Sequence, residues 1–194
     1  MISGEKFENK TDEELVPLIL RNQDNFLYLM KRYEERLMRY IGRISGLGKE
    51  DTEDILQDVF IKVYQNLNDF DTSLKFSSWI YRITHNEVIS NYRKLKSRPA
   101  TVSFDDDPAL ANKASFVADF TKDIDRKMSA ESIKKVLAKM DAKYKEVLVL
   151  RFLEEKDYTE ISDILRKPVG TIGALINRGK KQFKKIAERE KLAF

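Results

Sequence analysis

Cysteine is absent from this chain and histidine occurs once, as His85. The first absence excludes disulfides, thiolate metal sites and cysteine nucleophiles, and the second leaves a histidine-based zinc site without a second ligand. Cysteine-based chemistry and paired-histidine chemistry are thereby lost, and the expectation is a protein that is not an enzyme and carries no metal or cofactor. His85 is expected to be a neutral surface or hydrogen-bonded residue rather than a catalyst. No apolar run approaches the ~18 residues of a membrane-spanning helix. The first ten residues carry Glu5 and Glu8 where a secretory signal would be apolar. A cytoplasmic protein without a membrane span is expected. Nor does any long stretch alternate as a half-buried strand would; apolar residues recur at spacings of three and four, which predicts an all-α fold.

What is present is charge, unevenly distributed. The 194 residues are 42% hydrophobic and 35% charged, which supplies apolar matter for one or two ordinary cores. The net charge of +4 is modest for a nucleic-acid binder, but its placement is not uniform. From Arg166 onward, Arg166, Lys167, Arg178, Lys180, Lys181, Lys184, Lys185, Arg189 and Lys191 face only Glu188 and Glu190. Such an end attracts polyanions. A second basic stretch runs through Arg82, Arg93, Lys94, Lys96 and Arg98, whereas Asp105, Asp106, Asp107, Asp119, Asp123 and Asp125 dominate the segment between. Two binding modules joined by a flexible acidic linker are expected.

The periodicity divides the chain accordingly. Residues 1–23 hold a short helix opened by a Thr11/Glu14 capping box and kinked or shortened by Pro17. Residues 24–97 form a first helical domain. Its second helix is expected from Asp24 to about Ser45, burying Phe26, Met30, Tyr33, Leu37, Tyr40 and Ile44 and ending at Gly46 and Gly48. A third helix is expected from near Asp51 to Leu67 and a fourth from near Phe76 to about Leu95. In the linker, 98–128, Pro99, Pro108 and the acidic run break the pattern. A second helical domain, 129–194, ends in a helix-turn-helix: Thr159 capping a short helix, a turn over 166–170, and a longer helix through Ile172, Ile176, Phe183 and Ile186. That order lets the longer helix enter a major groove, although an ordinary helical hairpin has the same outline.

Three faces carry functional expectations. On the third helix Thr52, Leu56, Val59, Phe60, Val63 and Leu67 form the core side, while Asp54, Gln57, Asp58 and Ile61 form the other. The helix dipole accounts for first-turn acids such as Asp51 but not for Ile61, a large aliphatic among polar neighbours, which is what a partner surface needs. On the fourth helix Trp79, Arg82, Asn86, Ser90 and Arg93 share a side, opposite Ile80, Thr84, Val88, Asn91, Tyr92 and Leu95. Two readings of Trp79 stand open: a platform for an unstacked base beside cations, or a core residue packed with Phe76 and Ile83. On the last helix Thr171, Ala174, Arg178 and Lys181 face a groove, with Lys180, Lys184 and Lys185 near phosphates. Gly170, Gly173 and Gly179 are expected to weaken that helix, each by up to about 1 kcal/mol.

The same residues carry a resemblance. Asp54-Ile55-Leu56-Gln57-Asp58-Val59-Phe60, Phe70, Lys75-Phe76-Ser77-Ser78-Trp79-Ile80, Asn86, Tyr158-Thr159-Glu160-Ile161-Ser162 and Pro168-Val169-Gly170-Thr171-Ile172 together resemble the sigma-70 family of sigma factors, in its two-domain extracytoplasmic function group. The resemblance covers about 24 to 97 and about 129 to 186, in order. It implies a region 2-like bundle and a region 4-like helix-turn-helix, with core RNA polymerase, promoter DNA and an anti-sigma factor as partners. Asp54, Gln57, Asp58 and Ile61 would meet core polymerase. Phe70, Lys75, Phe76, Ser77, Ser78, Trp79, Arg82, Asn86, Ser90 and Arg93 would recognise and open the minus-ten element. Thr159, Pro168, Thr171, Ala174, Arg178, Lys180 and Lys181 would read the minus-thirty-five element. The linker resembles those that thread the polymerase cleft. One departure is Gly173-Ala174-Leu175, where such factors place basic or polar residues, so weak binding of minus-thirty-five DNA by the second domain alone is expected. Competing readings are a helix-turn-helix regulator acting without core polymerase, with Ile61 in a dimer seam, and a metal-dependent nuclease on Asp51, Asp54 and Asp58.

Overall fold

The structure, a computed structural model, describes residue 7, residues 9–96 and residues 129–191. The linker expected over 98–128 lies outside the described residues. The chain divides into two compact units, Met1–Ala100 and Thr101–Phe194. All regular elements among the described residues are helical.

In the first unit, α1 (Asp12–Arg21) opens on the expected capping box: Glu14 N donates to Thr11 Oγ1 at 3.2 Å and Thr11 N to Glu14 Oε2 at 2.9 Å. The helix continues through Pro17 to Arg21. A 3₁₀ turn over Gln23–Asn25 leads into α2 (Phe26–Ser45), so the helix expected from Asp24 starts two residues later. It ends on Gly46, whose φ of 74° is the left-handed cap conformation glycine adopts without a Cβ penalty. Its core stripe is Phe26, Leu29, Tyr33, Leu37, Tyr40 and Ile41. Met30 and Ile44, expected inside, are half-buried, because a stripe this wide has two edges and the neighbouring helices decide which is covered. α3 (Lys49–Gln65) buries Thr52, Ile55, Leu56, Val59, Phe60 and Val63, and Leu67 follows in a 3₁₀ turn, Leu67–Asp69. α4 (Phe76–Lys96) packs on α2 and α3, with Phe76, Ile80, Tyr81, Thr84 and Val88 inside. Tyr92, expected on its apolar side, is 47% exposed.

The second unit is built from α5 (Ala130–Ala138), α6 (Ala142–Leu148), a single π-helical turn (Val149–Leu153), α7 (Tyr158–Leu165) and α8 (Val169–Arg189). α5, α6 and α7 all pack on α8. Asp157, not Thr159, caps α7: Glu160 N donates to Asp157 Oδ1 at 2.7 Å and Asp157 N to Glu160 Oε2 at 2.9 Å. Thr159 sits inside the first turn, its side chain exposed. The turn is also tighter than expected. Arg166 takes a φ of 52°, Ser162 Oγ donates to Lys167 O at 2.6 Å, and α8 already includes Val169 and Gly170. Glycine does not break α8. At Gly179 a Cβ would stand 3.1 Å from Leu148 Cγ and 3.3 Å from Tyr144 O, so this glycine lets α6 and α8 pack closely there.

Candidate partner and nucleic-acid interfaces

The α3 face expected to meet a partner is exposed. Asp54, Gln57 and Asp58 all reach solvent, and Ile61 is 52% exposed. Gln57 and Ile61 belong to a groove between α2 and α3 of about 720 Å³, lined also by Phe26, Met30, Glu34, Met38, Glu53, Leu56, Phe60, Tyr64 and Gln65. Asp54 and Asp58 stand outside its lining. The groove joins aliphatic, thioether and aromatic surface to a few carboxylate and amide groups, the composition of an interface centre with a polar rim. Sequence reasoning missed its α2 wall because Met30 fits the core periodicity as well as it fits a groove edge. Among the described residues no group of three or more acidic, histidine or cysteine side chains could hold a metal, so Asp51, Asp54 and Asp58 do not form a nuclease-like cluster.

The α4 face turns a different set of groups outward. Trp79, Arg82, Asn86 and Ser90 line one cleft of about 370 Å³, joined by Ile83 and Glu87 and, from α3 and the turn after it, by Lys62, Asn66 and Asp69. Arg93 is exposed but outside that lining. Glu87 is almost fully buried and ion-paired with Lys62, a link between α3 and α4 that helical phase on one element does not reveal. A buried carboxylate tied to the exposed Lys62 gives the cleft a defined polar wall rather than a loose charge.

Trp79 packs against the core and also reaches the cleft. The ring is half-buried, with its centroid 5.1 Å from Phe70 and 5.4 Å from Phe76, and it also lines the cleft. Three expected contact residues lie inside instead. Phe70, Phe76 and Ser78 are buried, and Phe70 and Phe76 meet edge to face at 5.2 Å. The reason is the rotation of α4: residues 76 and 80 define its inward line, and the chain from Phe70 closes over it. The Ser78 Oγ has no hydrogen-bond partner. Lys75 is exposed and Ser77 half-buried. Before the helix, Ser73 N donates to Asp71 Oδ1 at 2.9 Å, and hydrogen bonding from Ser73 holds the Asp71 carboxyl below its usual range.

On the helix-turn-helix, Thr159, Pro168, Thr171 and Lys181 are exposed, and Ala174 and Arg178 are half-buried. Lys180 departs from expectation: it is 3% exposed, its ammonium 5.2 Å above the Phe152 ring. Burial, then the nearby Arg151 charge, lowers its pKa. Position 180 shares the inward line of Ile172, Ile176 and Phe183, so the basic run Lys180-Lys181 is split between core and surface. Arg151 lies over Tyr158 at 5.6 Å and donates to Lys156 O at 2.9 Å, bracing the entry to α7 from the π turn.

Comparison with known proteins places both units in one family. A family model described as Sigma-70 region 2 matches residues 29–98, and one described as Sigma-70, region 4 matches residues 130–183. The chain is 34% identical over 170 residues to the ECF RNA polymerase sigma factor SigW of Bacillus subtilis, covering 84% of this chain and 89% of that protein. It is 26% identical over 178 residues to the ECF RNA polymerase sigma-E factor of Escherichia coli K12, covering 89% and 92%. Among solved structures, CnrH in complex with the cytosolic domain of CnrY aligns with a TM-score of 0.66 at 20% identity, covering 93% of this chain and 99% of that one. RpoE in complex with the anti-sigma factor NepR from Bartonella quintana aligns with a TM-score of 0.65 at 18% identity, covering 84% and 97%.

Proposed function

The chain belongs to the sigma-70 family of RNA polymerase sigma factors, in its extracytoplasmic function group, and from that membership we propose how its faces divide the work of starting transcription. The groove between α2 and α3 seats core polymerase, with Ile61 as anchor and Gln57, Asp54 and Asp58 as polar contacts; Met30, Met38 and Tyr64 add apolar area. The α4 cleft receives the minus-ten strand as it unpairs. Trp79 offers an edge of its ring to a base, Arg82 and Arg93 hold phosphates, and Asn86 and Ser90 read polar groups. In the second unit α8 enters the major groove of the minus-thirty-five element, presenting Thr171, Ala174, Arg178 and Lys181. Residues 24–97 act as the polymerase and minus-ten module and 129–194 as the minus-thirty-five module, with 98–128 as the linker.

The observation that carries this reading is the disjoint lining of the two surfaces on one unit: no residue lines both groove and cleft, so polymerase and DNA can be held at once. From its family we infer a non-enzymatic factor working in the cytoplasm. Among the described residues no helix is long and apolar enough to cross a membrane. The solved structures of CnrH with the cytosolic domain of CnrY and of RpoE with the anti-sigma factor NepR support an anti-sigma partner here.

Run-off transcription with core polymerase and a promoter library tests the proposal. Transcripts sharing minus-ten and minus-thirty-five elements are expected, and Ile61→Glu should abolish them by removing polymerase binding. Specific DNA binding by the chain with no association to core polymerase would sink it.

A further inference from the structure

We propose that Glu13 is a positioning residue for strand opening: its carboxylate pins the first residue of α4 and, through it, the aromatic cluster beneath the cleft. The inference rests on the reading of that cleft given above. α1 precedes the residues matched by the region 2 model, and no function has yet fallen to it. Its capping box occupies Thr11 and Glu14, which leaves Asp12 and Glu13 free to reach other elements. Both converge on Phe76. Glu13 Oε1 accepts from Phe76 N at 2.8 Å across 63 positions of sequence. Asp12 accepts from Arg32 at 2.7 Å and from the Tyr33 hydroxyl, whose ring stands 5.7 Å from that of Phe76. Burial, then the Asp12 carboxylate, pushes the Tyr33 phenol well above its ordinary range, so it stays a donor. α1 therefore holds Phe76 by main chain and by ring.

The main-chain contact falls at a sensitive place. Phe76 opens α4, where amide groups have no intrahelical acceptor and a negative charge is favoured by the helix dipole. Two and three residues on, Ser78 N and Trp79 N bond back to Lys75 O at 3.1 and 3.3 Å. Just before lies an exposed stretch whose Leu74 is 55% exposed. Glu13 thus fixes the point at which that stretch becomes helix, one turn from Trp79. Capturing a base costs less when its platform is already ordered. A carboxylate that locks the start of α4 supplies that order without touching DNA.

The test uses the full chain with core polymerase on the promoter found by run-off, as duplex and as a template already unpaired over the minus-ten segment. Glu13→Ala is expected to slow opening of the duplex about tenfold while leaving core affinity within about twofold, the size of one lost charged hydrogen bond. The unpaired template should restore most of that loss. Glu13→Gln, which keeps a carbonyl acceptor, should recover most of the duplex rate. Trp79 is the only tryptophan, so its emission in the free protein should shift in Glu13→Ala and return in Glu13→Gln. Unchanged opening, equal loss on both templates, or a parallel fall in core affinity would overturn the proposal. If the unmodified chain opens no promoter, the initiation reading itself fails, which the variants do not decide.

Discussion

A single side chain can sit in the right motif and face the wrong way, and Lys180 is the instance here. Its neighbour Lys181 is exposed, whereas Lys180 lies against Phe152 inside the second unit. Lys181→Ala should reduce the slope of log affinity against log salt by about one, and Lys180→Met should leave the slope unchanged, in a salt titration on minus-thirty-five DNA. The lowered Lys180 pKa also has a sign in stability. The folded chain binds fewer protons at this site than the unfolded one, so stability rises with pH from the depressed value up to the ordinary lysine value of 10.5. Denaturant unfolding across that window should show the rise, and Lys180→Met should remove it. At Trp79 the two roles predict a graded result: Trp79→Ala should impair promoter opening, read by permanganate reactivity of unpaired thymines, more than it impairs polymerase binding. Equal loss of both would assign the ring to packing with Phe70 and Phe76 alone.

At the scale of elements, caps and crossings decide which helices stand firm. α7 starts on the reciprocal pair Asp157 and Glu160, so Asp157→Ala should cost about 1 kcal/mol of stability, and Thr159→Ala much less, in thermal unfolding. α8 packs on α6 at Gly179, where a methyl group would meet Leu148 Cγ at 3.1 Å and the Tyr144 carbonyl at 3.3 Å, so these neighbours would have to give way. Gly179→Ala raises helix propensity yet should destabilise the unit by about 1 to 3 kcal/mol through overpacking. Gly173 has only Tyr158 Cε2 at 3.9 Å, so Gly173→Ala is expected to stabilise α8 by up to about 1 kcal/mol, the intrinsic preference for alanine.

For the molecule as a whole, division into two units lets weak contacts add. On the proposed division of labour, polymerase holding the first unit would present the second to DNA at a raised effective concentration, so its own affinity need not be high. Gly173-Ala174-Leu175 offers few groups to DNA, and Lys180 is withdrawn from the surface. The isolated second unit is therefore expected to bind minus-thirty-five DNA weakly and with strong salt dependence. Tight, sequence-specific binding by that unit alone in a fluorescence anisotropy titration would contradict this.

Much of the architecture was legible from spacing. The helical class, the Thr11/Glu14 cap, the Gly46 stop and the split of α3 into a core side and an exposed Asp54-Gln57-Asp58-Ile61 side follow from local periodicity and capping, which act within one turn of the chain. Packing between elements decided the rest. Periodicity cannot tell Met30 at a groove edge from Met30 in a core, nor show that Lys62 reaches Glu87, that Glu13 reaches Phe76, or that Gly179 is a crossing point. Each of these depends on a partner distant in sequence, and only the folded chain sets that distance.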